Sequence, residues 1–216
     1  MRSRIPWTQA RGEPTVTLLL RHGQTPMSVQ RRYAGLSDVP LTEVGVQQAA
    51  AAGKRLASAG LSAIVTSPLV RAVRTAEEVA AATGAPVEAD EGFRETDFGA
   101  WDGLTFAEVR ERWPAELTAW LADPAVAPPG GESFADVSTR VEGALRRVLA
   151  AHQGRTVLIV SHVTPIKTLV AAALLAPPPA LYRMHLDVAA LCRVDWYADG
   201  PAVLRSFNDT GHLPAE

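Results

Sequence analysis

Three short apolar runs in this chain each end where chemistry begins, and the way they end constrains the fold. Residues 15–20 (TVTLLL) lie between Pro14 and Gly23. Residues 63–66 (AIVT) run into Ser67-Pro68, and residues 156–160 (TVLIV) run into Ser161-His162 and then Thr164-Pro165. A short apolar run bounded by turn residues reads as a buried strand. A hydroxyl residue followed by proline reads as a helix N-cap with proline at the first helical position. Strand followed by capped helix, repeated along the chain, predicts an α/β domain with a mostly parallel sheet.

The remaining elements follow from the same signals. Thr42 is the expected N-cap of a helix reaching Ser58, with Gly60 beyond its end. Ser67 and Pro68 open a helix to Thr83, and residues 87–89 are a third strand. Two short helices, 105–113 and 116–122, are expected on either side of Pro114. Residues 123–131 (DPAVAPPGG) are a loop. Ser133, with Asp136 three residues on, opens a helix to Ala151. Thr164 and Pro165 start another, reaching about Leu175 before Pro177 stops it. Further strands are expected around Leu186, at 193–197 and at 202–206, where close spacing favours antiparallel pairing at a sheet edge.

Composition bounds the function. The 216 residues suit one domain, expected at 15–212, with 1–14 and 213–216 as tails. Hydrophobic residues at 47% and charged residues at 20% place the chain among globular proteins rather than disordered ones. A net charge of −2 argues against a broad nucleic-acid-binding surface. Residues 1–14 lack the apolar centre of a signal peptide, and no apolar run is long enough to span a bilayer. A cytoplasmic location is therefore expected. The single cysteine, Cys192, excludes an intrachain disulfide framework and a multi-cysteine zinc site, and reads as a small buried apolar residue. His22, His152, His162, His185 and His212 show no close ligand spacing, so no metal or other cofactor is expected.

The candidate chemistry sits at the strand ends. Arg21-His22-Gly23 directly follows the first strand, and His162 follows the strand at 156–160. In an open α/β sheet, ligands bind beyond the carboxyl ends of the strands. Arg71 falls in the first turn of a helix, where a cation is mildly unfavourable unless an anion shares that end. Glu95 and Asp97 lie two apart in an irregular segment, and one carboxyl suffices as a general acid. Each residue alone has a bland alternative as a loop histidine or a solvated surface charge. Together they suit phosphoryl transfer. A neutral imidazole attacks phosphorus, guanidinium groups hold the phosphoryl oxygens, and a carboxyl protonates the departing oxygen.

The segments LLLRHGQT (18–25), SDVPLTEVGVQQA (37–49), TSPLVRAVRTAEEV (66–79), RETDFGAWDG (94–103), PPGGESF (128–134) and VSHVTPIK (160–167) resemble, in order, the histidine phosphatase superfamily of phosphoglycerate-mutase-like proteins. The resemblance covers about residues 15–212. It implies a three-layer sandwich with a mostly parallel central sheet and helices on both faces. It also implies that His22 is the nucleophile, that Arg21, Arg71 and His162 form the phosphate pocket, and that Glu95 is the proton donor. Ser28 and Ala34 stand where many relatives carry Asn and Gln. Ser28 retains a hydrogen-bonding group toward phosphate and Ala34 does not. Gln24, Thr25 and Arg32 are further candidate substrate contacts, with Tyr33, Trp101 and the segment after Pro128 as candidates toward the leaving group.

RHGQTPMSVQRRYAG, ETDFGAWDGLTFAEV, VSHVTPIK and YRMHLDVAAL are most similar to the C-terminal acid phosphatase domain of actinobacterial bifunctional ribonuclease H/acid phosphatase proteins, and then to α-ribazole phosphatases. Residues 1–14 leave no room for a ribonuclease H domain and read as a linker remnant or the start of a stand-alone chain. The expected activity is hydrolysis of a small phosphorylated substrate, α-ribazole phosphate or a nucleotide among the candidates, with a bell-shaped pH profile on the acid to neutral side. Two alternatives stand beside it. A phosphoglycerate-type mutase must shield its intermediate from water, and such relatives usually carry extra length around the site. A non-catalytic phosphate-binding module would keep the fold alone.

Overall fold

The computed structural model describes residues 12–214. Of the expected tails at 1–14 and 213–216, residues 1–11 and 215–216 lie outside the described residues. Six strands form one sheet: β1 (Thr15–Arg21), β2 (Leu61–Thr66), β3 (Val87–Ala89), β4 (Thr156–Ser161), β5 (Leu191–Trp196) and β6 (Ala202–Asp209). Their order is β3-β2-β4-β1-β5-β6. The β1–β4, β2–β4 and β2–β3 pairs are parallel, and β1–β5 and β5–β6 are antiparallel. The expected antiparallel edge is therefore present and begins at β1.

The strands alternate sides with period two, as a sheet covered on both faces requires. Leu20, Ile64, Leu158 and Val160 pack against α2 (Glu43–Leu56) and α3 (Val70–Thr83) on one face. Leu19, Val65, Val157 and Ile159 pack on the other, with α6 (Phe134–Ala151) and α7 (Val163–Ala173). This is the expected three-layer sandwich. A third cluster, rich in aromatic rings, joins α4 (Phe106–Arg112) and α5 (Pro114–Ala122) to Trp101, Phe134 and Leu181.

The helix starts separate correct cap readings from incorrect ones. Thr42 caps α2 by accepting from Gly45 N–H, and Ser133 and Asp136 close a reciprocal capping box on α6. Ser67 does not cap α3: the helix begins at Val70, with Leu69 as N-cap and no side-chain cap bond. Thr164 likewise does not cap α7, whose N-cap is His162. The Ser67 hydroxyl instead meets His162, and the Thr164 backbone N–H donates to Glu95. The two short helices expected around Pro114 are present, but the second begins at Pro114 itself rather than at residue 116. The strand expected around Leu186 is absent, because residues 184–190 cross the end of β1, where the Leu186 carbonyl accepts a hydrogen bond from Arg21 at 2.6 Å. Cys192 is buried and free, and burial pushes its thiol up to about 11.

Candidate active site

Sheet register brings the two histidines together. Arg21 of β1 lies opposite Ser161 of β4, so the next residue of each strand emerges at the same edge. His22 and His162 have ring centroids 5.1 Å apart, tilted by 57°. On the far side of β4, Thr66 of β2 pairs with Val160, which places Ser67 beside His162. The loop after β1 is pinned to the start of α2. Thr42 N–H donates to the Gln24 carbonyl at 2.9 Å, and Gly23 and Gly45 meet so closely that a side-chain carbon at either would strike the other's backbone segment. Gly23 N–H also donates to the Thr75 hydroxyl at 3.2 Å.

The tautomer of His22 follows from its partner. His22 Nδ1 lies 2.8 Å from the Gly23 carbonyl, which can only accept, so Nδ1 carries the hydrogen and Nε2 keeps a free lone pair. Burial, then the charges of Arg21 and Arg71, hold the His22 imidazole well below its ordinary pKa and therefore neutral near pH 7. His162 Nε2 lies 2.7 Å from the Ser67 hydroxyl. That hydroxyl accepts from Leu69 N–H and shares a second hydrogen bond with Nε2 whose direction follows the tautomer. When the hydroxyl donates to Nε2, the imidazole proton sits on Nδ1, which is buried and has no protein partner. His162 too is held neutral, first by burial and then by Arg71.

Arg71 is fully buried and donates to the carbonyls of Ser37, Ala34 and Gly35 at 2.8, 3.1 and 2.8 Å, which fixes the 34–37 loop. Its Nε has no partner, and neither does Nε of Arg21. Burial pushes the Arg21 guanidinium down to about 10, which still leaves it charged. Two buried guanidinium N–H groups without partners, on Arg21 and Arg71, and the unpartnered Nδ1 of His162 thus lie around a neutral imidazole. Buried donors are rarely left unsatisfied, and this set matches the oxygens of a phosphoryl group.

Glu95 faces the same space from another element. Its carboxylate accepts from Thr96 N–H at 2.9 Å and from the first N–H groups of α7, Val163 at 3.1 Å and Thr164 at 3.3 Å. Its backbone is held by Arg140 of α6, which donates to the carbonyls of Gly92, Arg94 and Glu95 and forms a two-point pair with Glu132. All five N–H donors of Arg140 are used, so the irregular 92–97 segment is clamped in place.

A cavity of about 400 Å³ opens over Arg21, His22 and Glu95. Arg71 and His162 lie deeper, behind its lining. Thr25 and Arg32, candidate substrate contacts, and Ser28, a candidate phosphate contact, line it, but each is already engaged. Thr25 and Ser28 form the capping box of the short α1 (Pro26–Val29), and the Ser28 hydroxyl donates to the Thr25 carbonyl. Arg32 pairs with Glu108 at 3.0 Å and donates to the Gly103 carbonyl at 2.8 Å. Gln24 is turned away and accepts from the Thr42 hydroxyl at 2.9 Å. Trp101 is fully buried and packs, while Tyr33 and, after Pro128, Phe134 reach the cavity.

Lys167, Ser67 and the Arg140–Glu132 clamp were not singled out from sequence. Lys167 lines the cavity, and among the described residues its ammonium has no hydrogen-bond or ion-pair partner. Burial lowers its pKa, and the charge of Glu95 opposes that. Its position four residues after Val163 on α7 was the available signal, since residues four apart share a helix face. Among the described residues, no group of three or more His, Cys, Asp or Glu is placed to hold a metal ion, and no helix is long and apolar enough to cross a membrane.

Comparison with known proteins agrees with this geometry. The family model described as histidine phosphatase superfamily (branch 1) matches residues 17–210. The chain is 52% identical over 208 residues to the bifunctional protein Rv2228c of Mycobacterium tuberculosis; the match covers 96% of this chain and 57% of that protein's length. It is 38% identical over 207 residues to the probable phosphoglycerate mutase GpmB of Salmonella paratyphi B, covering 91% of this chain and 94% of the relative. The solved structure of mycobacterial glucosyl-3-phosphoglycerate phosphatase Rv2419c with VO3 superposes with a TM-score of 0.84 at 32% identity, covering 91% of this chain and all of that one. The RHG loop, the paired histidines and the full-length match together make this chain a member of the histidine phosphatase superfamily.

Proposed function

We propose that the chain is a metal-independent phosphomonoesterase that works through a phosphohistidine at His22. The observation that carries this reading is the neutral His22 imidazole, its Nε2 lone pair free, beside buried and unpartnered N–H groups on Arg21 and Arg71 and the unpartnered Nδ1 of His162. Those groups bind the phosphoryl oxygens and hold the charge that spreads over them in the transition state. His22 Nε2 attacks phosphorus, and the P–N bond forms as the ester P–O bond breaks. The Glu95 carboxyl passes its proton to the leaving oxygen. As carboxylate it then takes a proton from the water that attacks the phosphohistidine, releasing phosphate and restoring neutral His22. The Gly23 carbonyl, accepting from Nδ1–H, supports the positive imidazole ring of the intermediate.

Hydrolysis of p-nitrophenyl phosphate at pH 5–8 in EDTA tests the reading. Wild type retains activity, and His22→Ala lowers kcat by at least about a thousandfold, the scale of losing a nucleophile. Activity lost in EDTA and restored by Mg²⁺ contradicts it.

The likeness to a protein named as a probable mutase favours a second reading, phosphoryl transfer between positions of a phosphoglycerate. A mutase would require 2,3-bisphosphoglycerate and release no phosphate, whereas the hydrolytic reading gives stoichiometric phosphate. The cavity's substrate is a small phosphorylated molecule in this reading, with α-ribazole phosphate and nucleotides as first candidates. Joining to a ribonuclease H domain in a longer protein is a further proposal, supported by the relative described as bifunctional, of which this chain spans 57%.

A further inference from the structure

Thr168 sits in the middle of α7 with a hydroxyl that no other protein group uses. The residue is 2% exposed, and among the described residues its Oγ1 has no hydrogen-bond partner. A threonine inside a helix can bond the carbonyl four residues back. Thr75, Thr83, Thr118 and Thr139 all do so, donating to the carbonyls of Arg71, Val79, Pro114 and Ala135 at 2.7–3.0 Å. Thr168 does not. It lies in the floor of a groove of about 610 Å³ between α6, α7 and the 122–125 loop. Ala135 N–H donates to the Pro124 carbonyl at 3.1 Å, which pins that loop to the start of α6 and shapes the groove before any ligand arrives.

Most of the groove surface is alanine and proline, and its charged lining residues, Asp123 and Glu142, are both acidic. Asp123 is occupied by Ala125 N–H at 2.9 Å. Glu142 accepts a long 3.4 Å bond from the Ser138 hydroxyl and has no ion-pair partner among the described residues. An apolar groove with a few convergent polar groups is the usual form of a small-molecule site. An anionic occupant would meet two carboxylates and a neutral one would leave Glu142 unpaired, whereas a cation completes it. The catalytic cavity does not compete for such a cation, since its lining sets Arg21, Arg32 and Lys167 against Glu95. Phe134 and Leu181 line both spaces, so the groove and the cavity share a wall.

We propose that this groove is a second ligand site, for an apolar molecule carrying a protonated amine, and that its occupant acts on the catalytic cavity through Phe134 and Leu181. Glu142 is the counter-ion of the ammonium, Thr168 is a hydrogen-bonding partner at the floor, and the apolar body lies on the alanine and proline surface.

Calorimetric titration of the full chain near pH 7 with 4-phenylbutylamine, 4-phenylbutan-1-ol and 4-phenylbutyrate separates charge from apolar burial. One amine is expected per chain, bound at least about tenfold tighter than the alcohol, the scale of one charge-assisted hydrogen bond. The carboxylate should bind weakest. Glu142→Gln should bring amine and alcohol to similar Kd values, and Thr168→Val, which keeps the shape, should weaken the amine. Orthophosphate titrated with and without saturating amine reads the shared wall, and its Kd should shift by at least about fivefold. Amine binding no tighter than alcohol binding, or an amine Kd left unchanged by either substitution, overturns the site. An unmoved phosphate Kd overturns the action on the catalytic cavity. Amine binding by a chain that neither binds phosphate nor hydrolyses its esters leaves the groove site standing and overturns the phosphomonoesterase reading.

Discussion

In the proposed reaction the Ser67 hydroxyl, 2.7 Å from His162 Nε2, donates to it and leaves the imidazole proton on Nδ1, where an anion can use it. Ser67→Ala leaves a buried nitrogen unpaired and frees the tautomer. The expected cost is about 1–3 kcal/mol of stability, read by urea denaturation, and a fall in kcat. Ser67→Thr, which restores the hydroxyl, should recover most of the kcat. Equal kcat in Ser67→Ala and wild type would show that the bond has no part in orienting His162. His22, Arg21, Arg71 and Glu95 were legible in the sequence because their neighbours in the chain carry the pattern. Ser67 was legible only as a helix cap, since the bond that claims its hydroxyl spans 95 positions. The engagement of Ser28 and Arg32 within the protein was equally hidden, because a side chain's competing partners appear only on folding.

At the scale of elements, the segment that carries Glu95, the proposed proton donor, depends on Arg140 of α6. Arg140 of α6 holds three carbonyls of the 92–95 stretch and pairs with Glu132, and both side chains are less than one-fifth exposed. Removing one partner of such a pair strands the other, so Arg140→Ala should cost about 3–5 kcal/mol in urea denaturation. Arg140→Lys keeps the charge but cannot make five directed bonds. Its kcat should fall more on ethyl phosphate, which needs a protonated leaving group, than on p-nitrophenyl phosphate, which does not. An equal loss on both would place the clamp in general stability rather than in the placement of Glu95. Most elements were readable from caps and periodicity, as the capping box at Ser133 and the N-cap at Thr42 illustrate. The start of α3 was misplaced because Ser67-Pro68 imitates a cap, and the strand expected near Leu186 gave way to a loop whose carbonyl serves Arg21.

For the molecule as a whole, the order β2-β4-β1 sets three strand ends side by side and assembles the site from residues 21–22, 67 and 161–162. Sequence indicated the parallel sheet but not which strand lies in the middle. Burying two histidines at this seam makes stability depend on pH. Both are depressed below 6.5 in the folded chain, so the unfolded chain binds protons more readily. Their contribution is fully present above about pH 6.5 and is lost as pH falls from there toward the folded values. Each histidine contributes up to about 1.4 kcal/mol per pH unit in that window. The Tm should fall from pH 7 to pH 5, and His162→Gln should flatten the slope; an unchanged slope would contradict the burial argument. The central claim is tested most directly by quenching the enzyme in alkali during turnover of p-nitrophenyl phosphate and weighing the intact chain. One phosphoryl group per chain, acid-labile, mapped to His22 and absent from His22→Ala, is the predicted result. A chain that turns over substrate with no phosphoryl adduct, or with the adduct on another residue, would contradict it.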